Sequence, residues 1–149
     1  MNADELPNPS PKRPRQMTIP DNIKEWVILI VDDEPDNVGV ASKVLSFQGI
    51  EVHTARNGEE ALQLLENISP SLILLDLSMP VMDGWTMHAR LRENPEYADI
   101  PVIALTAHAM ASDKHRVLES GFDGYISKPF RIMTLISDIK QCLADDKKV

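Results

Sequence analysis

Cysteine is nearly absent: Cys142 is the single one in 149 residues. That excludes a disulfide framework and a cysteine-ligated zinc site, and it suits a reducing, cytoplasmic home. No run approaches the roughly 20 apolar residues of a membrane span, and the first residues are polar and proline-rich, unlike a secretory signal. Bases are the minority, 15 against 23 acids, for a net charge of −8. A surface so poor in positive charge disfavours direct, non-specific nucleic-acid binding and suits a ligand that brings cations. No internal repeat or low-complexity array is visible. What is present is ordinary globular material, 43% hydrophobic and 26% charged, in about one domain's length.

Charge and proline are unevenly placed. The first 25 residues carry four acids and four bases, so the whole excess of acid lies beyond them. Five of the eleven prolines fall in the first twenty positions. Such a stretch cannot bury enough apolar surface to fold alone, so residues 1–22 read as a flexible tail with a solvated Lys12-Arg13-Pro14-Arg15 cluster. Residues 23–146 read as one domain and 147–149 as a C-terminal tail.

From Trp26 onward strand and helix patterns alternate. The apolar run Trp26–Val31 reads as a strand buried on both faces, and Asn37–Gln48 as a helix closed by Gly49. Glu51–Ala55 is a second strand, followed by a helix carrying Ala61, Leu62, Leu64 and Leu65. Leu72–Leu75 is the third strand, ending at Asp76, with a helix over about 84–92. Pro101–Leu105 precedes a helix over about 110–120. Tyr125–Ser127 precedes a helix over about 132–144. Five strand–helix repeats with continuous apolar strands imply an α/β fold, a doubly wound five-stranded parallel sheet. The flavodoxin-like order 2-1-3-4-5 is the leading topology.

Ligands of open α/β sheets bind at the carboxyl ends of the strands, near the point where the strand order reverses. Strand one ends in Asp32-Asp33-Glu34, strand three in Asp76, strand four in Thr106 and strand five in Lys128. Taken alone, Asp32 and Asp33 read equally as strand-end or capping acids, and Thr106 as a cap. Together the acids converge on one rim. Hard oxygen donors without a histidine–cysteine set suit Mg²⁺, with Mn²⁺ as a substitute. A dication and the Lys128 ammonium around a lone carboxylate make a phosphoryl-binding arrangement, with Asp76 as nucleophile and the paired acids as metal ligands. His53, His88, His108 and His115 show no ligand spacing, and Trp85 reads as local packing.

Val31-Asp32-Asp33, the run Leu75-Asp76-Leu77-Ser78-Met79-Pro80-Val81-Met82-Asp83-Gly84, Leu105-Thr106-Ala107 and Ser127-Lys128-Pro129-Phe130 together resemble a two-component response-regulator receiver domain. The likeness covers about residues 26–145 and is of the stand-alone, chemotaxis-regulator kind. It implies that Asp76 accepts a phosphoryl group from a histidine-kinase or phosphotransfer-protein phosphohistidine. It implies Mg²⁺ ligation by Asp33, Asp76 and the Ser78 carbonyl, with Asp32 acting partly through water. Lys128 would contact a phosphate oxygen, the bond to Pro129 would be cis, Thr106 would swing toward the phosphate and Tyr125 would turn inward. Ser78 and His108 hold the positions where family members tune phosphoryl lifetime. The resemblance further implies a downstream protein target on the face of the fourth helix, fifth strand and fifth helix, and a phosphorylation-dependent homodimer as a further mode. Direct nucleic-acid and membrane contacts are not expected, nor is dedicated enzymatic turnover.

Other classes fit less well. Hydrolases that turn over an aspartyl phosphate usually carry a second acid two residues after the nucleophile, where this chain has Ser78. A pseudo-receiver binding module tends to lose the acids or the lysine, all retained here. A flavodoxin-type cofactor site would need a hydroxyl- and glycine-rich loop after strand one. The Ala107–Met110 and Gly124–Pro129 segments look like hybrid-kinase receivers, so a fragment of such a kinase is the alternative to a complete protein. The start at Met1 favours the latter.

Overall fold

The computed structural model describes residues 19–79, 81–107 and 111–146, the side chains at 111–113 and 145–146 excepted. His108, the proline-rich segment before Ile19 and residues 147–149 lie outside the described residues. Five strands, β1 (Val27–Val31), β2 (Glu51–Ala55), β3 (Leu72–Asp76), β4 (Val102–Thr106) and β5 (Gly124–Ser127), alternate with five helices. The helices are α1 (Pro35–Phe47), α2 (Gly58–Leu64), α3 (Gly84–Glu93), α4 (Ala111–Glu119) and α5 (Leu135–Asp146). The sheet is parallel throughout in the order β2-β1-β3-β4-β5.

The period-two geometry of a strand explains why the central strands are apolar on both faces up to their carboxyl ends, where β3 closes on Asp76 and β4 on Thr106. In β1, Ile28 and Ile30 point to one face, where α1 and α5 bury Ala41, Leu45, Leu135 and Ile139. Leu29 and Val31 point to the other, where Ala61, Met87, Leu91 and Val117 of α2, α3 and α4 cover them. Ile73 and Leu75 of β3 share that second face, and Leu72 and Leu74 the first. Two cores flank one sheet, so the sheet's carboxyl edge is left to the loops.

Local chemistry sets the boundaries. Pro35 opens α1, where its missing N–H costs nothing and its fixed φ is already helical. The helix closes at Gln48, with Gly49 at φ 88°. The Ile50 amide donates to the Leu45 carbonyl and the Gly49 amide to that of Ser46, a Schellman closure whose apolar pair is Leu45 and Ile50. Asn57 and Asp83 cap α2 and α3 by accepting from the amides of Glu60 and Thr86, each at 2.8 Å.

Two expectations need trimming. A tail running through residue 22 is too long: Ile19 packs against the core, and the Trp26 indole donates to the Pro20 carbonyl at 2.7 Å. A 3₁₀ turn at Ile23–Glu25 then leads into β1. The last helix begins at Leu135, not Ile132. The Thr134 hydroxyl lies 3.1 Å from the Asp138 carboxylate at its start, and Ile132 and Met133 stay exposed in the preceding turn.

Candidate functional site

The carboxyl edge collects chemistry from four strand ends. Asp32 follows β1, and its backbone amide donates to the Ala55 carbonyl of the neighbouring β2 end. Asp76 is the last residue of β3, and Thr106 the last of β4. Lys128 follows β5, with its amide donating to the Thr106 carbonyl at 2.8 Å. The Lys128–Pro129 peptide is cis. A cleft of about 340 Å³ opens among Asp33, Glu34, Asp76, Ser78, Thr106 and Lys128.

Carboxylate oxygens of Asp32, Asp33 and Asp76 all lie within 4.8 Å of one another. Asp32 and Asp76 are buried, 1% and 2% exposed, whereas Asp33 is open to solvent. Asp32 accepts from the Glu34 amide and Asp76 from the Ser78 amide, at 2.9 and 3.1 Å, which fixes both carboxylates without neutralising them. The Lys128 ammonium lies 2.9 Å from Glu34, 3.2 Å from Asp76 and 3.4 Å from Asp32. With Glu34, the rim holds four carboxylates against one ammonium, a surplus of three negative charges when all four are ionised.

Those charges show in the titration of the group at their centre. Burial pushes the Asp76 carboxyl up, and the Asp32 charge adds to it, while the Ser78 amide and the Lys128 ammonium pull the other way; the result is about 6. Burial opposes the Lys128 charge, yet the hydrogen bond it donates to Glu34 and the charges of Asp32 and Asp76 outweigh it and raise the ammonium to about 12. The Glu34 carboxyl is held below its usual value, first by its hydrogen bond to Lys128.

A hard dication fits this oxygen-only donor set, because it offsets the burial and the neighbouring Asp32 charge that keep Asp76 hard to ionise. Of the residues singled out in the sequence, Asp32, Asp33, Asp76, Ser78, Thr106 and Lys128 meet at this edge. Tyr125 does not line the cleft. It is half-buried beside a second hollow of about 710 Å³ bounded by Gly124–Arg131 and α5, with the Lys114 ammonium 5.1 Å from its ring centre. Pro129 borders the same hollow.

Two groups carry more than their sequence position suggested. Glu34, one of three acids in a row, is the nearest partner of Lys128. Its adjacency to Asp32-Asp33 was the only signal. Asp123 is buried, accepts from the Val102 amide at 2.8 Å and pairs with Arg92 at 3.1 Å. Arg92 also donates to the carbonyls of Ala98 and Ile100, so this network ties the end of α3 to the starts of β4 and β5, away from the cleft. No sequence signal marks it. His88 stacks on Phe122 at 4.0 Å and Trp85 meets Phe122 edge-on at 5.6 Å, which makes both packing residues.

Among the described residues no helix is long and apolar enough to cross a membrane. A family model described as the response regulator receiver domain matches residues 28–140. The polar-differentiation response regulator DivK of Brucella anthropi is 37% identical over 118 residues, 79% of this chain and 96% of that protein. The chemotaxis response regulator CheY4 of Vibrio cholerae superposes with a TM-score of 0.74 at 30% identity, covering 79% of this chain and 98% of that one. The receiver domain of sensor histidine kinase PA1611 from Pseudomonas aeruginosa superposes at 0.70 with 30% identity over 80% and 98%, and its structure has a magnesium ion coordinated in the active site cleft. A match that spans all five strands, joined to an acidic rim with a lysine at its centre, leaves one assignment: the chain belongs to the receiver domains of two-component signalling.

Proposed function

We propose that the chain is a phosphoacceptor switch in which Asp76 takes a phosphoryl group from the phosphohistidine of a histidine kinase or phosphotransfer protein. The observation that carries this reading is a buried carboxylate at a central strand end, 3.2 Å from an ammonium and open to a cleft. An Asp76 oxygen forms the new bond to phosphorus as the bond from phosphorus to the donor imidazole nitrogen breaks; that nitrogen keeps the electron pair and takes up a proton. Asp33, Asp76 and the Ser78 carbonyl would hold Mg²⁺, or Mn²⁺ in its place, with Asp32 acting partly through water. When bound, the dication draws charge from the phosphoryl oxygens. Lys128 holds one of those oxygens, and the Thr106 hydroxyl swings toward another. Ser78 and His108 tune how long the ester survives.

Esterification replaces a buried carboxylate with a larger dianion, and new contacts to Thr106 and Lys128 favour a minor arrangement of the same chain. Its readout is the face of α4, β5 and α5, where Tyr125 and the larger hollow lie. A downstream protein target docks there, and a homodimer is a second outcome on the same surface. The chain assists its own phosphorylation and dephosphorylation and is not a dedicated enzyme. Its place is the cytoplasm, where histidine-kinase transmitter domains work.

Incubation with Mg²⁺ and a small phosphodonor should add one acid-labile phosphoryl group, measured by intact mass. Asp76→Asn should abolish it. Label that survives this substitution would move the acceptor elsewhere.

A further inference from the structure

The Lys128 ammonium has three N–H donors, and three carboxylates lie within reach of them. Two of the three, Asp32 and Asp76, are buried on short stems and pinned by backbone amides. The third, Glu34, is the nearest and the most exposed, with 58% of its side chain open to solvent. Glu34 occupies the N-cap of α1, yet its side chain makes no capping hydrogen bond. Its Oε1 accepts instead from the Lys128 ammonium at 2.9 Å and from the side-chain Nδ2 of Asn37 at 2.7 Å. A cap position that gives up its own helix amides to hold a lysine at the mouth of a cleft is spent on that lysine.

We propose that Glu34 is a displaceable counter-ion, occupying in the resting protein the Lys128 N–H that a phosphoryl oxygen takes during transfer. This rests on the phosphoacceptor reading of Asp76. A phosphoryl group arriving in the cleft meets a negative charge beside the ammonium it needs, and the solvent-exposed Glu34 is the partner free to leave. Glu34 is therefore a positioning residue that restrains acquisition of the phosphoryl group and makes its rate sensitive to salt.

The test compares wild type, Glu34→Gln and Glu34→Asp in time courses of labelling by acetyl phosphate with Mg²⁺, across a range of ionic strength. Glutamine keeps the acceptor for Asn37 and removes only the charge, so folding is not at stake. Glu34→Gln should label about three- to tenfold faster at low salt and lose most of the salt dependence. Glu34→Asp, which keeps the charge, should stay near wild type. A Glu34→Gln rate and salt slope equal to wild type would overturn the proposal while leaving Asp76 as the acceptor. So would an aspartate variant that behaves like glutamine, because the charge would then not be the cause. A wild type that takes no label on Asp76 would overturn the phosphoacceptor reading itself, and this inference with it.

Discussion

Asp76 is the residue at which fold and chemistry conflict. Its carboxyl is pushed up to about 6 from an ordinary value of 3.8, chiefly by burial. The folded state therefore binds this proton more tightly than the unfolded chain. The resulting stability is complete below about pH 4 and is lost as pH rises through about 6. Above that window the ionised Asp76 costs the cation-free protein on the order of 2–3 kcal/mol. Asp76→Asn, which keeps the shape and removes the charge, should raise the unfolding temperature at neutral pH by roughly 4–12 °C. It should also flatten the stability profile between about pH 4 and 6. Thermal unfolding followed by circular dichroism across that range measures both. A variant no more stable than wild type at neutral pH would mean that Lys128 already balances the charge.

At the scale of elements, the start of α3 is held against the end of β3 by Gly84. The Gly84 amide donates to the Leu77 carbonyl, folding the segment back on the strand it has just left. A β-carbon at Gly84 would lie 2.3 Å from the Asp76 carbonyl oxygen and 2.8 Å from the Leu77 α-carbon, both backbone atoms with nowhere to go. Between them Val81 holds φ at 69°, a conformation costly for a β-branched residue. Gly84→Ala should therefore cost roughly 1–3 kcal/mol in urea unfolding and slow labelling of Asp76 by more than that loss of folded protein explains. Unchanged stability would show that the start of α3 can slide. Asp83, just before this glycine, caps α3. That the turn needs a glycine because Asp76 lies directly beneath it is a fact of packing, invisible along the chain.

For the whole molecule, the rim's surplus of negative charge should make stability depend on cations. A dication that binds only the folded state stabilises it by about 2.7 kcal/mol at a hundredfold excess over its dissociation constant, or roughly 5–11 °C. Magnesium chloride should raise the unfolding temperature at about pH 7.5 and do so progressively less as pH falls through about 6, where a proton on Asp76 competes with the ion. A chelator should reverse the effect. No rise at the higher pH would count against any cation site on this edge. Lys128 is no competitor in that experiment, because its ammonium stays charged to about 12.

The amino-acid sequence by itself determined the architecture. Strands buried on both faces must be apolar throughout, so β1, β3 and β4 stand out as runs, and the helices between them force parallel pairing. It also supplied the acids, the hydroxyl and the lysine, since each ends a strand and strand ends in such a sheet share one edge. Tertiary structure alone decided the partners. Glu34 and Lys128 are 94 residues apart, and Arg92 and Asp123 are 31 apart. Nothing local distinguishes those side chains from solvated charges. Which carboxylate holds the lysine, and which is buried deeply enough to resist ionisation, follows from the three-dimensional approach of chain segments, because charge interactions and desolvation depend on distance through space and not along the backbone.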